Sequence, residues 1–114
     1  MNWGNEVVAV GLGFVAILVI GPIAEELFWR GLALPAIEAA GGSLAGIGWT
    51  AVLYAGTHVD VLGPADALGT TLRLGYGLVL GSVFVRWRSL RFCILLHIAI
   101  NFLALGVDAA INLI

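Results

Sequence analysis

The chain has 114 residues, 61% of them hydrophobic and only 11% charged, with a mean hydropathy of +1.09. A soluble domain carries about a quarter charged residues, so this chain cannot cover itself with polar surface and is expected to lie in a lipid bilayer. A net charge of −2 gives no basis for a nucleic-acid partner, and the single cysteine, Cys93, excludes an internal disulfide framework.

Four segments approach the roughly 20 apolar residues that a membrane-crossing helix needs. Backbone groups in lipid must be satisfied within a segment, so all four are read as helices. The first runs from Val7 to Pro35. The preceding MNWGNE has no basic residue, and the apolar run is too long for a cleaved signal, so this segment is read as retained. Its run from Val7 to Ala24 is free of charge and then meets Glu25, Glu26 and Arg30. Pro22 removes a backbone donor and clashes with the carbonyl of Leu18, which predicts a kink. Glu26 and Arg30 are four apart on one face and are predicted to form a structural ion pair. Glu25 is rotated by about 100° from Glu26 and is left free to point into a site.

The second segment runs from Ser43 to Leu62, with Tyr54 one turn before His58. The third, Ala67–Trp87, is interrupted by Arg73, which is expected to snorkel to the outer surface. The fourth, Leu90–Leu113, places His97 and Asn101 four apart on one face. Gly77 and Gly81 form a GxxxG spacing that suits close helix packing, and Gly42 and Gly46 repeat it. Trp3, Trp49 and Trp87 read as interfacial anchors. Arg86, Arg88 and Arg91 cluster between the third and fourth segments, which assigns that connection to the cytoplasm. The opposite side then holds both termini, with Glu6, Asp60, Asp66 and Asp108.

Counted from the cytoplasmic helix ends, Glu25 lies roughly 15 Å deep, His97 roughly 10 Å and His58 roughly 18 Å. Boundary errors of a few residues bring these depths together. The predicted architecture is therefore an all-α membrane protein, a bundle of about four transmembrane helices with a polar site in the cytoplasmic half of the bilayer. Ionisable groups in such segments are functional candidates by default.

A carboxylate and two imidazoles at one depth have three uses. Glu25, His58 and His97 suit an open zinc site. Alternatively Glu25 acts as general base on a water with histidine assistance, and Asn101 beside His97 suits an oxyanion hole. Haem ligation by His58 and His97 leaves Glu25 and Asn101 unused. Hydrolysis employs all four. A non-catalytic immunity or scaffold protein and an ion pathway are the alternatives to an enzyme.

The order EELFWR (Glu25 to Arg30), YAGTH (Tyr54 to His58) and HIAIN (His97 to Asn101) resembles the CPBP family of intramembrane proteases, also called the Abi or CAAX-protease family. The resemblance extends through GLVLGSVFVRWRSL and covers the chain from about Pro22 to Phe102. It implies water activation by Glu25 and His58 and oxyanion stabilisation by His97 and Asn101, or a metal site completed by His97. It also implies that Glu26 and Arg30 hold the helix in place. The expected substrate is a short peptide or a membrane-anchored, CAAX-like protein tail. Bacterial members are linked to peptide processing and bacteriocin self-immunity, and the expected location is a prokaryotic cell membrane with the site reached from the cytoplasm. Tyr54 stands where the family usually has phenylalanine. Family members commonly carry extra helices before the EE motif, so the single domain 1–114 is expected to be a minimal member or a fragment.

Overall fold

A computed structural model describes residues 2–58 and 67–113. These form four helices: α1 Trp3–Gly41, α2 Ser43–Thr57, α3 Ala67–Trp87 and α4 Leu90–Asn112. No strand occurs among the described residues, and the molecule is the all-α membrane protein that its composition requires. Apolar side chains cover the outside: Leu12, Ile17, Leu32, Leu44 and Leu103 are all at least 65% exposed. The interior instead holds Glu26, Arg30 and Thr50 with no exposure, among Leu34, Ala51, Leu80 and Cys93. A lipid solvent explains that inversion, since an exposed apolar surface this extensive is unstable in water.

Two helices differ from their sequence-based bounds. α1 was expected over Val7 to Pro35 but extends as one 39-residue helix from Trp3 to Gly41. α2 was expected to reach Leu62 but stops at Thr57, and residues 59–66, including Asp60 and Asp66, lie outside the described residues. At 15 residues α2 is about 22 Å long, short of the roughly 30 Å hydrocarbon layer. Three helices, α1, α3 and α4, are long and apolar enough to cross a membrane. His58 is the residue that follows the last turn of α2.

Pro22 does not break α1. A π-helical turn over Ala16–Ile20 precedes it, and the Gly21 N–H reaches back to the Ala16 carbonyl. A second π turn, Trp29–Ala33, precedes Leu34 and Pro35 in the same way. A widened turn gives the proline ring room against the carbonyl it otherwise strikes, so the helix bulges and continues.

The two connections at the arginine-rich end are short. Gly42 turns α1 into α2 at φ +90°, a conformation that favours glycine. Gly42 is thus a turn residue, while Gly46 is the packing residue of that pair. A Cβ on Gly46 would meet the Leu34 carbonyl and the Glu38 Cβ at 3.2 Å. Arg88, at φ 52°, ends α3, and the Ser89 hydroxyl accepts from the Phe92 N–H at 3.1 Å to cap α4. The Arg88 guanidinium also grips both oxygens of Glu38, one at 3.0 Å, which ties the two connections together at one end of the bundle. The GxxxG pair on α3 makes the closest helix contact: a Cβ on Gly77 would lie 2.7 Å from the Ala51 Cα, and one on Gly81 would lie 3.4 Å from Ile47. Trp3, Trp49 and Trp87 are all exposed, Trp3 and Trp87 at helix ends and Trp49 midway along α2.

Candidate active site

The buried pair comes first, because it fixes the rest. Arg30 Nη1 donates to Glu26 Oε1 at 3.0 Å one turn away, with neither side chain exposed. Arg30 Nη2 crosses to α3 and donates to the Gly77 carbonyl at 3.1 Å. That contact requires the close approach that only a glycine at position 77 allows. The guanidinium also lies 5.5 Å from the Tyr54 ring centroid on α2. Glu26 Oε2 and Arg30 Nε have no hydrogen-bond partner among the described residues.

Glu26 has a second role that the helical spacing hid. Its Oε1 also lies 2.8 Å from His97 Nδ1 on α4. An ionised carboxylate can only accept, so the proton sits on His97 Nδ1, and Nε2 turns away from Glu26. A second-partner hydrogen bond of this kind sets both tautomer and ring orientation. His58 is set similarly. Its Nδ1 lies 2.8 Å from the Tyr54 carbonyl, one of the acceptors left over at the C-terminal end of α2. A carbonyl also only accepts, so His58 Nδ1 donates and Nε2 is free. The Thr57 hydroxyl donates to the same carbonyl at 2.8 Å.

Both free Nε2 atoms face Glu25. His58 Nε2 lies 3.5 Å from Oε1 of Glu25 and His97 Nε2 lies 3.7 Å from Oε2. Glu25 is a third exposed, unlike its neighbour Glu26. In the neutral form each imidazole presents a lone pair to the Glu25 carboxylate, and three acceptors then converge at distances beyond an ordinary hydrogen bond. What fits between acceptors is a proton donor such as water.

These groups open onto a cavity of about 300 Å³, lined by Glu25, Tyr54, His58, Arg73, His97 and Asn101 among others. The four residues predicted from sequence to share a site thus line one cavity. Asn101, one turn beyond His97, makes no hydrogen bond to another described residue, and its amide is available to the cavity. Tyr54 is the packing hub, with its ring centroid 4.6 Å from that of His58, 6.2 Å from Trp29 and 6.4 Å from His97. Arg73, expected to snorkel, lines the same cavity. Counting 14 residues back from Trp87 places it about 21 Å deep, near His58, so the same depth count had the signal.

Glu25, His58 and His97 are also the residues that would hold a zinc ion. Glu25 faces the two imidazoles with different oxygens, and among the described residues no group of three His, Cys, Asp or Glu side chains is placed to hold a metal ion. No step below is routed through a metal.

A helical bundle with three helices long and apolar enough to cross a membrane, and with an acid and two oriented imidazoles on one cavity, is an integral membrane protein with a polar site. One sequence family narrows this further: the model for type II CAAX prenyl endopeptidase Rce1-like proteins matches residues 8–103, and the chain belongs to that family. It is the protease family that the EELFWR, YAGTH and HIAIN motifs resemble. No curated protein and no solved structure matched the chain.

Proposed function

We propose that the protein is an intramembrane endopeptidase of the glutamate type, which cleaves a short peptide or the tail of a membrane-anchored, CAAX-like protein. One observation supports this reading above the others: the Glu25 carboxylate and the Nε2 atoms of His58 and His97 converge on the wall of a single cavity.

A water held between Glu25 and His58 donates one hydrogen to each. As its oxygen attacks the scissile carbonyl carbon, Glu25 takes the proton and the carbonyl oxygen becomes an oxyanion. The Asn101 amide donates to that oxyanion. His97 joins it by donating from Nε2 once it has taken up a second proton from solvent ahead of the attack, with Nδ1–H kept on Glu26, and it returns that proton to solvent afterwards. Collapse of the intermediate breaks the C–N bond, and the proton on Glu25 passes to the leaving amine. The products are a carboxylate and an amine. The arginine cluster at Arg86, Arg88 and Arg91 supports a cytoplasmic location for the nearer end of the bundle.

The experiment is proteolysis by protein reconstituted in liposomes, with Glu25→Ala and His58→Ala alongside. Loss of cleavage in both variants is expected. Cleavage at the wild-type rate in either overturns the reading.

A further inference from the structure

Arg73 is the charged residue of this cavity without an assignment. Its position follows from the register of α2 on α3. Gly81 packs on Ile47 and Gly77 packs on Ala51, so the two helices run antiparallel and advance together by one turn. One further turn brings Arg73 to the level of Ala55, three residues short of His58. The face of α3 that meets α2 therefore carries Gly81, Gly77 and Arg73 in line. The two glycines close the helices together, and the arginine stands where they open onto the cavity.

The two arginines of the interior differ in their partners. Arg30 is tied to Glu26 and to the Gly77 carbonyl. Arg73 has no carboxylate within 4 Å and no hydrogen bond among the described residues, although it is half-buried. Glu25 is the one carboxylate among the described residues that lines the cavity, and both its oxygens face imidazoles. An arginine at membrane depth with no counter-ion among the described residues is expensive, and such residues mark substrate and ion pathways. The guanidinium is permanently charged and its planar fork matches a carboxylate with two parallel hydrogen bonds. The cavity is small, and a peptide whose chain ends inside it needs no second exit.

We propose that Arg73 binds the C-terminal carboxylate of the peptide whose bond is broken beside Glu25, making the site selective for substrates that end in the cavity. This rests on the hydrolytic reading above, and it explains a charge that the hydrolytic chemistry leaves unused.

The test separates the two readings by measuring binding apart from turnover. Glu25→Gln keeps the shape of the site but removes the base, so it holds an uncleaved peptide. Binding of one short apolar peptide is measured calorimetrically in zwitterionic detergent, as the free acid, as the C-terminal amide, and as the amide with an internal aspartate. Charged hydrogen bonds of this type correspond to roughly 10- to 100-fold in affinity. The Glu25→Gln protein is expected to prefer the acid over the amide by that factor. Glu25→Gln/Arg73→Gln is expected to lose the preference by weakening only the acid, and Glu25→Gln/Arg73→Lys to recover part of it. An unchanged acid preference without Arg73 overturns the proposal, as does equal weakening of acid and amide. Equal binding of the aspartate amide and the acid overturns the assignment to a chain end. Competition by anionic phospholipid but not by peptide acid assigns Arg73 to lipid and overturns it too. Full cleavage by Glu25→Gln defeats the hydrolytic reading and leaves the binding result to judge Arg73.

Discussion

Glu26 Oε1 accepts from Arg30 at 3.0 Å and from His97 Nδ1 at 2.8 Å, joining side chains on helices 71 residues apart in sequence. A single carboxylate oxygen thereby neutralises the buried arginine and points a histidine at the neighbouring glutamate. Two adjacent glutamates consequently have separate duties, one in structure and one in the cavity.

The first prediction follows from that division. Glu26→Gln leaves Arg30 buried without its counter-charge, and breaking a buried pair costs about 3–5 kcal/mol. Glu25→Gln, a third exposed, leaves the fold close to wild type and abolishes cleavage. Thermal unfolding in detergent, read beside peptidase activity, distinguishes the two. Similar melting of both variants contradicts the structural role of Glu26.

Gly77 gives a second. A methyl group there meets the Ala51 Cα at 2.7 Å and displaces the carbonyl that Arg30 holds. Gly77→Ala is expected to destabilise by about 1–3 kcal/mol, the usual range for overpacking. Gly48→Ala, whose new Cβ meets nothing within 4 Å, serves as the neutral control on α2. The comparison is one of melting temperatures in the same micelle.

Asn101 is expected to act on rate rather than on fold. Its amide forms no hydrogen bond with another described residue, so Asn101→Ala should leave melting unchanged. Loss of one oxyanion donor lowers kcat by about 10²–10³-fold in other hydrolases. A change confined to KM removes Asn101 from that role.

Metal dependence is settled by a direct measurement. With Glu25, His58 and His97 not grouped as ligands, activity is expected to survive a strong chelator, and purified protein is expected to carry no stoichiometric zinc. One zinc per chain together with loss of activity on chelation reverses the glutamate-type reading.

Much of this arrangement was legible in the sequence because the membrane imposes so few solutions. Charges inside an apolar segment are rare enough that Glu25, His58 and His97 could be matched by depth alone, and the i,i+4 spacing gave the Glu26–Arg30 pair. The bond from Glu26 to His97 was hidden for a related reason. A pair that seems complete within its own helix invites no search for a further partner, yet a carboxylate oxygen accepts more than one hydrogen bond. The two π turns left no sequence signal beyond Pro22 and Pro35, since a proline can be accommodated by a kink or by a bulge. The end of α2 at Thr57 was missed because the apolar pattern continues beyond it. Arg73 was not placed at the site because snorkelling is the default expectation for an arginine near an apolar face, whereas the α2–α3 register brings it to the cavity.

The branching at Glu26 and Arg30 also fixes an order of biosynthesis. The ion pair lies within α1 and forms when that helix forms. The Gly77 carbonyl arrives 47 residues after Arg30, and His97 arrives 71 residues after Glu26. A nascent chain therefore carries its buried pair only partly solvated until the last helix docks, and the same event brings His97 and Asn101 to the cavity. Completion of the fold and completion of the proposed hydrolytic centre are one step, so an unfinished chain in the translocon holds no assembled cavity.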